Sequence, residues 1–235
     1  MKVFIDPRYC GPPASGNGGY SCGLLAQHLA GTVEVTLKAP PPLGVALQLE
    51  AAGDVARLTH AGQLIAEARA IAADWPAPPA SPDVDGAAAA AARYAGFYQH
   101  DYPTCFTCGP GRAAHDGLRI FTGVWRDGIV AAPWVPDATL ADASGRMPLP
   151  VLWAATDCPG YWAATVGLDP RPAMLLGRMT ARFDGSVAAD ERCIVIGWGM
   201  GVDGRKHQAG TALFGADGRC VGQSRQTWIA LKREN

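Results

Sequence analysis

Gly62-Gln-Leu-Ile-Ala-Glu-Ala-Arg69 and Gly218-Arg-Cys-Val-Gly-Gln-Ser-Arg225 place glycine and arginine seven residues apart in two distant parts of the chain. Each stretch follows a polar turn, Thr59-His60-Ala61 in one case and Ala216-Asp217 in the other, and continues into apolar residues. That is the pattern of the returning strand of a hairpin. The two stretches therefore read as the ends of one small module written twice.

Working outward from them, the elements fall in the same order in both parts. A loop at Gly11–Asn17 leads into a helix over Gly18–Leu29, with Gly31 as its stop. Strands are expected at Val33–Lys38, Val45–Glu50, Val55–Thr59 and Leu64–Ala72. In the second part, strands near Leu118–Trp125 and Gly128–Trp134 precede a helix over Leu149–Val166. Four more follow at Ala173–Phe183, Cys193–Met200, His207–Phe214 and Cys220–Leu231. Asp184-Gly185, Asp203-Gly204 and Asp217-Gly218 separate these last four as hairpin turns. Residues 74–103 are rich in Pro, Ala and Asp and contain the run Ala87–Ala92, a helix-prone connector. The division expected is a first repeat over 1–73, a connector over 74–103 and a second repeat over 104–235.

Composition narrows the function classes. With 49% hydrophobic and 17% charged residues among 235, the chain has ample apolar material for a shared core. A formal net charge of -1 with both signs interspersed offers no surface for a phosphate backbone, so no nucleic-acid partner is expected. The apolar runs are shorter than the ~20 residues of a spanning helix, and the start Met1–Asp6 lacks the apolar core of a signal peptide. A cytoplasmic protein with no membrane partner is the expectation. Seven scattered cysteines suit reduced thiols. Cys105-Phe-Thr-Cys108 is the one close pair, and Cys158, Cys193, His115 and His207 provide no second pair at ligand spacing, so no metal is expected. No phosphate loop, dinucleotide fingerprint or His-Glu-x-x-His helix suggests a tightly held cofactor.

A helix wrapped by an antiparallel sheet, written twice, makes an α+β chain that resembles the double-hotdog form of the hotdog fold, best known from acyl-CoA thioesterases and dehydratases. Asn17-Gly18-Gly19 is similar to the His-Gly-Gly that opens the central helix in phenylacetyl-CoA type thioesterases. Cys105-Phe-Thr-Cys-Gly109 with Asp116-Gly117-Leu118 resembles a pattern that precedes the first strand in many relatives. The likeness covers nearly the whole chain outside the connector. In that thioesterase type a carboxylate lies nine residues beyond the His. Nine beyond Asn17 is Ala26, which has no chemistry, whereas nine beyond Pro148 is Asp157. The first repeat keeps the glycines and the second keeps the acid, which implies one composite site between them.

The resemblance implies hydrolysis of a small acyl thioester, with coenzyme A as part of the substrate rather than a cofactor. The N–H groups of Gly18 and Gly19 would polarise the thioester carbonyl, since helix-start amides are unpaired. The alternative for these glycines is a tight turn or close packing. Asp157, in the apolar stretch Val151–Cys158, is a candidate base or nucleophile, because a buried carboxylate without partners is costly. Its other reading is a helix-end residue bonding to backbone freed by Pro159-Gly160. Asn17 either contacts substrate or caps the helix. Tyr20 is a candidate wall of the acyl pocket, Trp153 a core or cleft-wall residue, and Thr156 a candidate holder of substrate or water. Arg205-Lys206 is either a docking point for phosphates or a solvated hairpin tip. Two other functions stay open: a non-catalytic module binding an acyl-CoA or another apolar ligand, and an enoyl-CoA hydratase or dehydratase, whose Asp-x-Asn-Pro-x-His stretch is missing. A monomer or a homodimer of fused pairs is expected.

Overall fold

The two Gly-to-Arg segments become strands that each lie one place from the middle of a single antiparallel sheet. In the computed structural model, which describes residues 1–232, the chain runs β1 (Lys2–Val3), α1 (Gly18–Ala26), β2 (Thr32–Leu37), β3 (Leu47–Ala52), β4 (Val55–His60), β5 (Gln63–Ile71) and α2 (Val84–Ala91). It continues through β6 (Gly123–Arg126), β7 (Ile129–Trp134), α3 (Leu149–Ala155), α4 (Cys158–Ala164), β8 (Met174–Phe183), β9 (Cys193–Asp203), β10 (Lys206–Phe214) and β11 (Cys220–Ala230). Among the described residues no helix is long and apolar enough to cross a membrane.

The sheet order is β1-β3-β4-β5-β2-β8-β11-β10-β9-β7-β6. Counted outward from the β2–β8 junction, each side shows the first, fourth, third and second strand after its helix. Arg69 pairs with Glu34, Glu34 with Thr180 and Thr180 with Arg225, so the two arginines that end the repeated segments share one cross-strand row. At the same junction Val33 pairs with Ala181 and Val35 with Met179, and all four side chains are buried. Because strand residues alternate between faces, this apolar row belongs to the helix side and the charged row to the other. Leu25, Val35 and Ala66 accordingly share one core with Trp153, Met179 and Trp228.

Both central helices are apolar nearly all round, as buried helices are. In α1 only Gly18 and Tyr20 escape full burial, and in α3 only Leu149 does. The two helices meet through Gly19 and Gly23, four residues apart and so on one face of α1. A Cβ at Gly19 would lie 2.6 Å from the Trp153 carbonyl oxygen, and one at Gly23 would lie 2.5 Å from Pro150 Cα. Glycine is what permits this approach.

Several boundaries differ from the sequence expectation. The helix expected over Leu149–Val166 is two helices, with Thr156 and Asp157 at the break. Pro159 has no N–H to donate, and its ring would clash with the carbonyl four residues back. The strand expected from Leu118 begins only at Gly123. Leu118 and Ile120 instead donate their N–H groups to Phe106 O at 2.8 Å and Thr107 O at 2.9 Å, which ties that segment to the cysteine loop. The first helix ends at Ala26 rather than Leu29.

The connector crosses the outer face of the second half. Arg225 donates to Asp74 O at 2.7 Å and lies over the Trp75 ring. The alanine run forms α2, capped by Asp83, whose carboxylate accepts the Gly86 N–H at 2.8 Å. Ala90 packs there with Ala131, Ile196 and Ala212.

Candidate active site

Asn17 is the residue from which the site is assembled. Its Oδ1 accepts the Tyr20 N–H at 2.9 Å, an ordinary helix cap. Its Nδ2 donates to Thr107 Oγ1 at 3.3 Å, and Thr107 Oγ1 donates to Ala154 O at 2.9 Å. One short chain of bonds thus fixes the start of α1 against the cysteine loop and α3.

Across from the cap, the Gly19 N–H donates to Asp157 Oδ2 at 3.0 Å. Asp157 is 2% exposed, and its other oxygen, Oδ1, is buried with no hydrogen-bond partner among the described residues. Burial pushes its carboxyl up to about 7, against the opposing effects of the Gly19 N–H and, more weakly, of the nearby Asn17 side chain, which is too far or too poorly aligned to count as a hydrogen-bond partner of Oδ1. A carboxylate held by one oxygen and unpartnered at the other is chemically usable: Oδ2 fixes the orientation, and the buried Oδ1 has no hydrogen bond to give up before it accepts a proton or attacks a carbon.

Asp157 is held from behind by groups that no local pattern in the chain singles out. The helix break leaves the Thr156 carbonyl without a helical partner. It accepts from Thr211 Oγ1 at 2.8 Å and from Gln226 Nε2. Gln226 Nε2 also donates to Ser224 Oγ at 2.9 Å, and Trp228 Nε1 donates to Gln226 Oε1 at 2.7 Å. All of these side chains are buried. Gln226→Leu is expected to lower stability by about 1–3 kcal/mol, because it leaves buried polar groups unpaired; denaturant unfolding of the two proteins measures it.

Asp157 opens onto a cavity of about 520 Å³ whose wall draws on both halves and on the connector. Residues 11–18, Leu37 and the 38–41 loop contribute one side, apart from Pro13. Asp157, Cys158, Met174–Gly177, Trp228, Ile229 and Leu231 contribute the other, with Tyr102 and Cys105 between them. Most of this lining is apolar, as expected of a site for an acyl group.

No protein-family model and no curated protein matches the sequence. Solved structures do match over nearly the full length. A candidate thioesterase from Novosphingobium aromaticivorans is 14% identical, with a TM-score of 0.62 over 98% of this chain and 95% of that one. A candidate thioesterase II from Thermobifida fusca is 18% identical, with a TM-score of 0.61 over 99% of this chain and 93% of that one. A protein of unknown function with a hot dog fold from Alicyclobacillus acidocaldarius is 10% identical, with a TM-score of 0.57 over 99% and 93%. This chain has the hotdog fold. At such identities the likeness carries the fold and not the chemistry.

Within this hotdog framework the residues singled out from the sequence separate into two groups. Asn17, Gly18 and Asp157 lie on the cavity wall. Gly19 lies behind it, its N–H spent on Asp157, so it is not a free donor for a substrate oxygen. Tyr20 is not on the wall: it stacks on Tyr9 with ring centroids 4.0 Å apart and meets Phe106 edge-on. Trp153, 1% exposed, is a core residue. Thr156 is fully buried and bonds back to Leu152 O and Trp153 O, leaving no hydroxyl for substrate or water. Arg205 and Lys206 form the exposed tip between β9 and β10 and are off the wall. Arg205 Nη1 donates to Ala230 O at 3.0 Å, between the wall residues Ile229 and Leu231, which sets it at the rim. Ala26, nine residues beyond Asn17, is buried in the core.

Proposed function

We propose that this chain is a double hotdog that hydrolyses acyl-CoA thioesters at one composite site between its halves. The observation that carries this reading is Asp157, a buried carboxylate in the wall of an apolar cavity, held through Oδ2 by the Gly19 N–H of the other half and left at Oδ1 without a hydrogen-bond partner among the described residues. The mirrored strand order on either side of β2 and β8 supports the fused-pair architecture.

The acyl chain lies along Leu37, Met174, Leu176 and Trp228, and the thioester carbonyl meets the start of α1. Gly18 is the first residue of α1 and has no preceding turn to accept its N–H, so it is the donor to the carbonyl oxygen. Asp157 takes a proton from water as the water oxygen attacks the carbonyl carbon. The carbon–sulfur bond then breaks and the leaving thiolate is protonated. Direct attack by Oδ1, giving an acyl anhydride that water hydrolyses, uses the same geometry. Arg205 at the rim is placed to meet a phosphate of the CoA moiety.

Release of free thiol from short, medium, long and aromatic acyl-CoAs tests the reading; no turnover on any of them would overturn it. Leu176→Trp fills the cavity and is expected to shift preference toward shorter acyl groups. Arg205→Ala is expected to raise KM with little change in kcat, the mark of a contact made equally in ground and transition states; a steady-state comparison with the parent checks both. A second reading, binding of an acyl-CoA without turnover, is favoured by one observation: the Gly19 N–H is already used by Asp157, leaving a single helix-start donor. Saturable binding with no thiol release would establish it.

A further inference from the structure

Beside the carboxylate site three sulfurs meet: the close pair Cys105 and Cys108 gains a third, Cys158, that its spacing in the sequence did not offer. Cys105 and Cys108 come from the loop after the connector, and Cys158 is the first residue of α4. Their Sγ atoms all lie within 4.8 Å of one another, with Cys105 and Cys158 3.6 Å apart. All three are buried, and none is in a disulfide. His100 lies next to one of them, with Nε2 3.3 Å from Cys108 Sγ, but it is outside the group of atoms that all lie within 4.8 Å of one another.

The spacing is that of ligands around a common ion. Zinc–sulfur bonds of about 2.3 Å at tetrahedral angles hold sulfurs about 3.8 Å apart, whereas a disulfide needs about 2.05 Å. The loop is also built to present its sulfurs. The Cys105 N–H donates to Tyr102 O and the Gly109 N–H to Cys105 O, both at 2.9 Å. The fully buried Tyr94 donates from its hydroxyl to Cys108 O at 2.9 Å. Three thiolates are a soft set that suits zinc better than a hard cation, and the His100 imidazole beside Cys108 is the side chain placed to swing in as the fourth ligand.

We propose that Cys105, Cys108, Cys158 and His100 bind one zinc ion that clamps the cysteine loop to the helix break. The ion replaces the thiol protons, so its uptake releases protons. At present His100 Nδ1 accepts the Tyr102 N–H at 3.0 Å, which leaves the ring proton on Nε2. Ligation through Nε2 moves that proton to Nδ1 and frees the Tyr102 N–H. With four protein ligands the ion has no open position, which makes its role structural. It would nonetheless act on the neighbouring site: Cys158 directly follows Asp157, and Cys105 Sγ accepts from Asn17 Nδ2 at 3.8 Å. Zinc binding here does not depend on thioester hydrolysis and is tested without any activity measurement.

The full chain, purified under reducing conditions without chelator, is expected to carry one zinc by elemental mass spectrometry. Replacement by cobalt is expected to produce sulfur-to-metal charge-transfer absorption. Cys108→Ser abolishes stoichiometric zinc, Cys220→Ser retains it, and His100→Ala weakens affinity by about a hundredfold or more, beyond the range for side chains that only support a ligand. If Cys108→Ser does not fold, the wild-type cobalt spectrum and a chelator-induced drop in melting temperature decide the matter instead. A folded wild type that retains no zinc after reconstitution and desalting, and shows no cobalt–thiolate bands, overturns the site. An intact mass lighter by two hydrogens, with a disulfide mapped among these cysteines under the same conditions, also overturns it. Full zinc affinity in His100→Ala overturns the fourth ligand.

Discussion

Asp157→Asn is expected to fold normally and to release thiol from acyl-CoAs about a hundredfold to ten-thousandfold more slowly than the parent, the usual loss when a positioned base is removed. The amide is nearly the same shape as the carboxylate, and its Oδ1 can still accept the Gly19 N–H that holds Asp157 at 3.0 Å. What it lacks is a basic oxygen where Asp157 Oδ1 now stands unpartnered. The fold would also no longer bury an ionisable oxygen without a partner, so the melting temperature should equal or exceed that of the parent. Thiol-release assays on both proteins, with unfolding followed in parallel, separate the two effects. Equal turnover across all accepted substrates would remove Asp157 from the chemistry.

Gly19→Ala is expected to be among the most damaging single changes to both stability and turnover. The added carbon would lie 2.6 Å from Asp157 Cβ and 2.6 Å from the Trp153 carbonyl oxygen. The latter belongs to the α3 backbone and cannot swing aside, so the helices must separate. Overpacking of this kind costs about 1–3 kcal/mol, or several degrees in melting temperature for a chain of this length. The same movement lengthens the Gly19–Asp157 bond and costs turnover. Gly18→Ala provides the contrast. Its new carbon meets side-chain atoms of Leu176, Cδ2 at 2.9 Å and Cβ at 3.0 Å, and no backbone atom. It should melt closer to the parent while narrowing the cavity. If Gly19→Ala melts and turns over like the parent, the close approach of the helices does not position the acid.

Much of the architecture was legible because its causes are local. Alternating residues mark β8 to β11, and Asp203-Gly204 and Asp217-Gly218 turn β9 into β10 and β10 into β11, since both are properties of a few neighbouring residues. Asp184-Gly185, expected as a third hairpin turn, makes none, because β8 pairs with β2 and β11 while β9 pairs with β10 and β7. The Gly-to-Arg spacing located β5 and β11 in equivalent places. The Pro159-Gly160 pair pointed to a helix end at Asp157, and the break between α3 and α4 falls there, within the span expected as one helix. Leu118 read as a strand because its apolar character is visible, whereas its pairing with Phe106 O is not.

Composition, periodicity and turn chemistry by themselves determined the repeated helix-and-sheet pattern, because each depends on residues close together in the chain. Only the tertiary structure decided what faces the cavity and what meets what. Gly19 and Asp157 are 138 residues apart, and Cys105 and Cys158 are 53 apart. The packing of α1 on α3 and the course of the connector brought those pairs together, sent Trp153 into the core and left Tyr20 half-buried against Tyr9 and Phe106. Those contacts follow from how the apolar faces of distant segments bury one another, a collective condition that no short window of sequence contains.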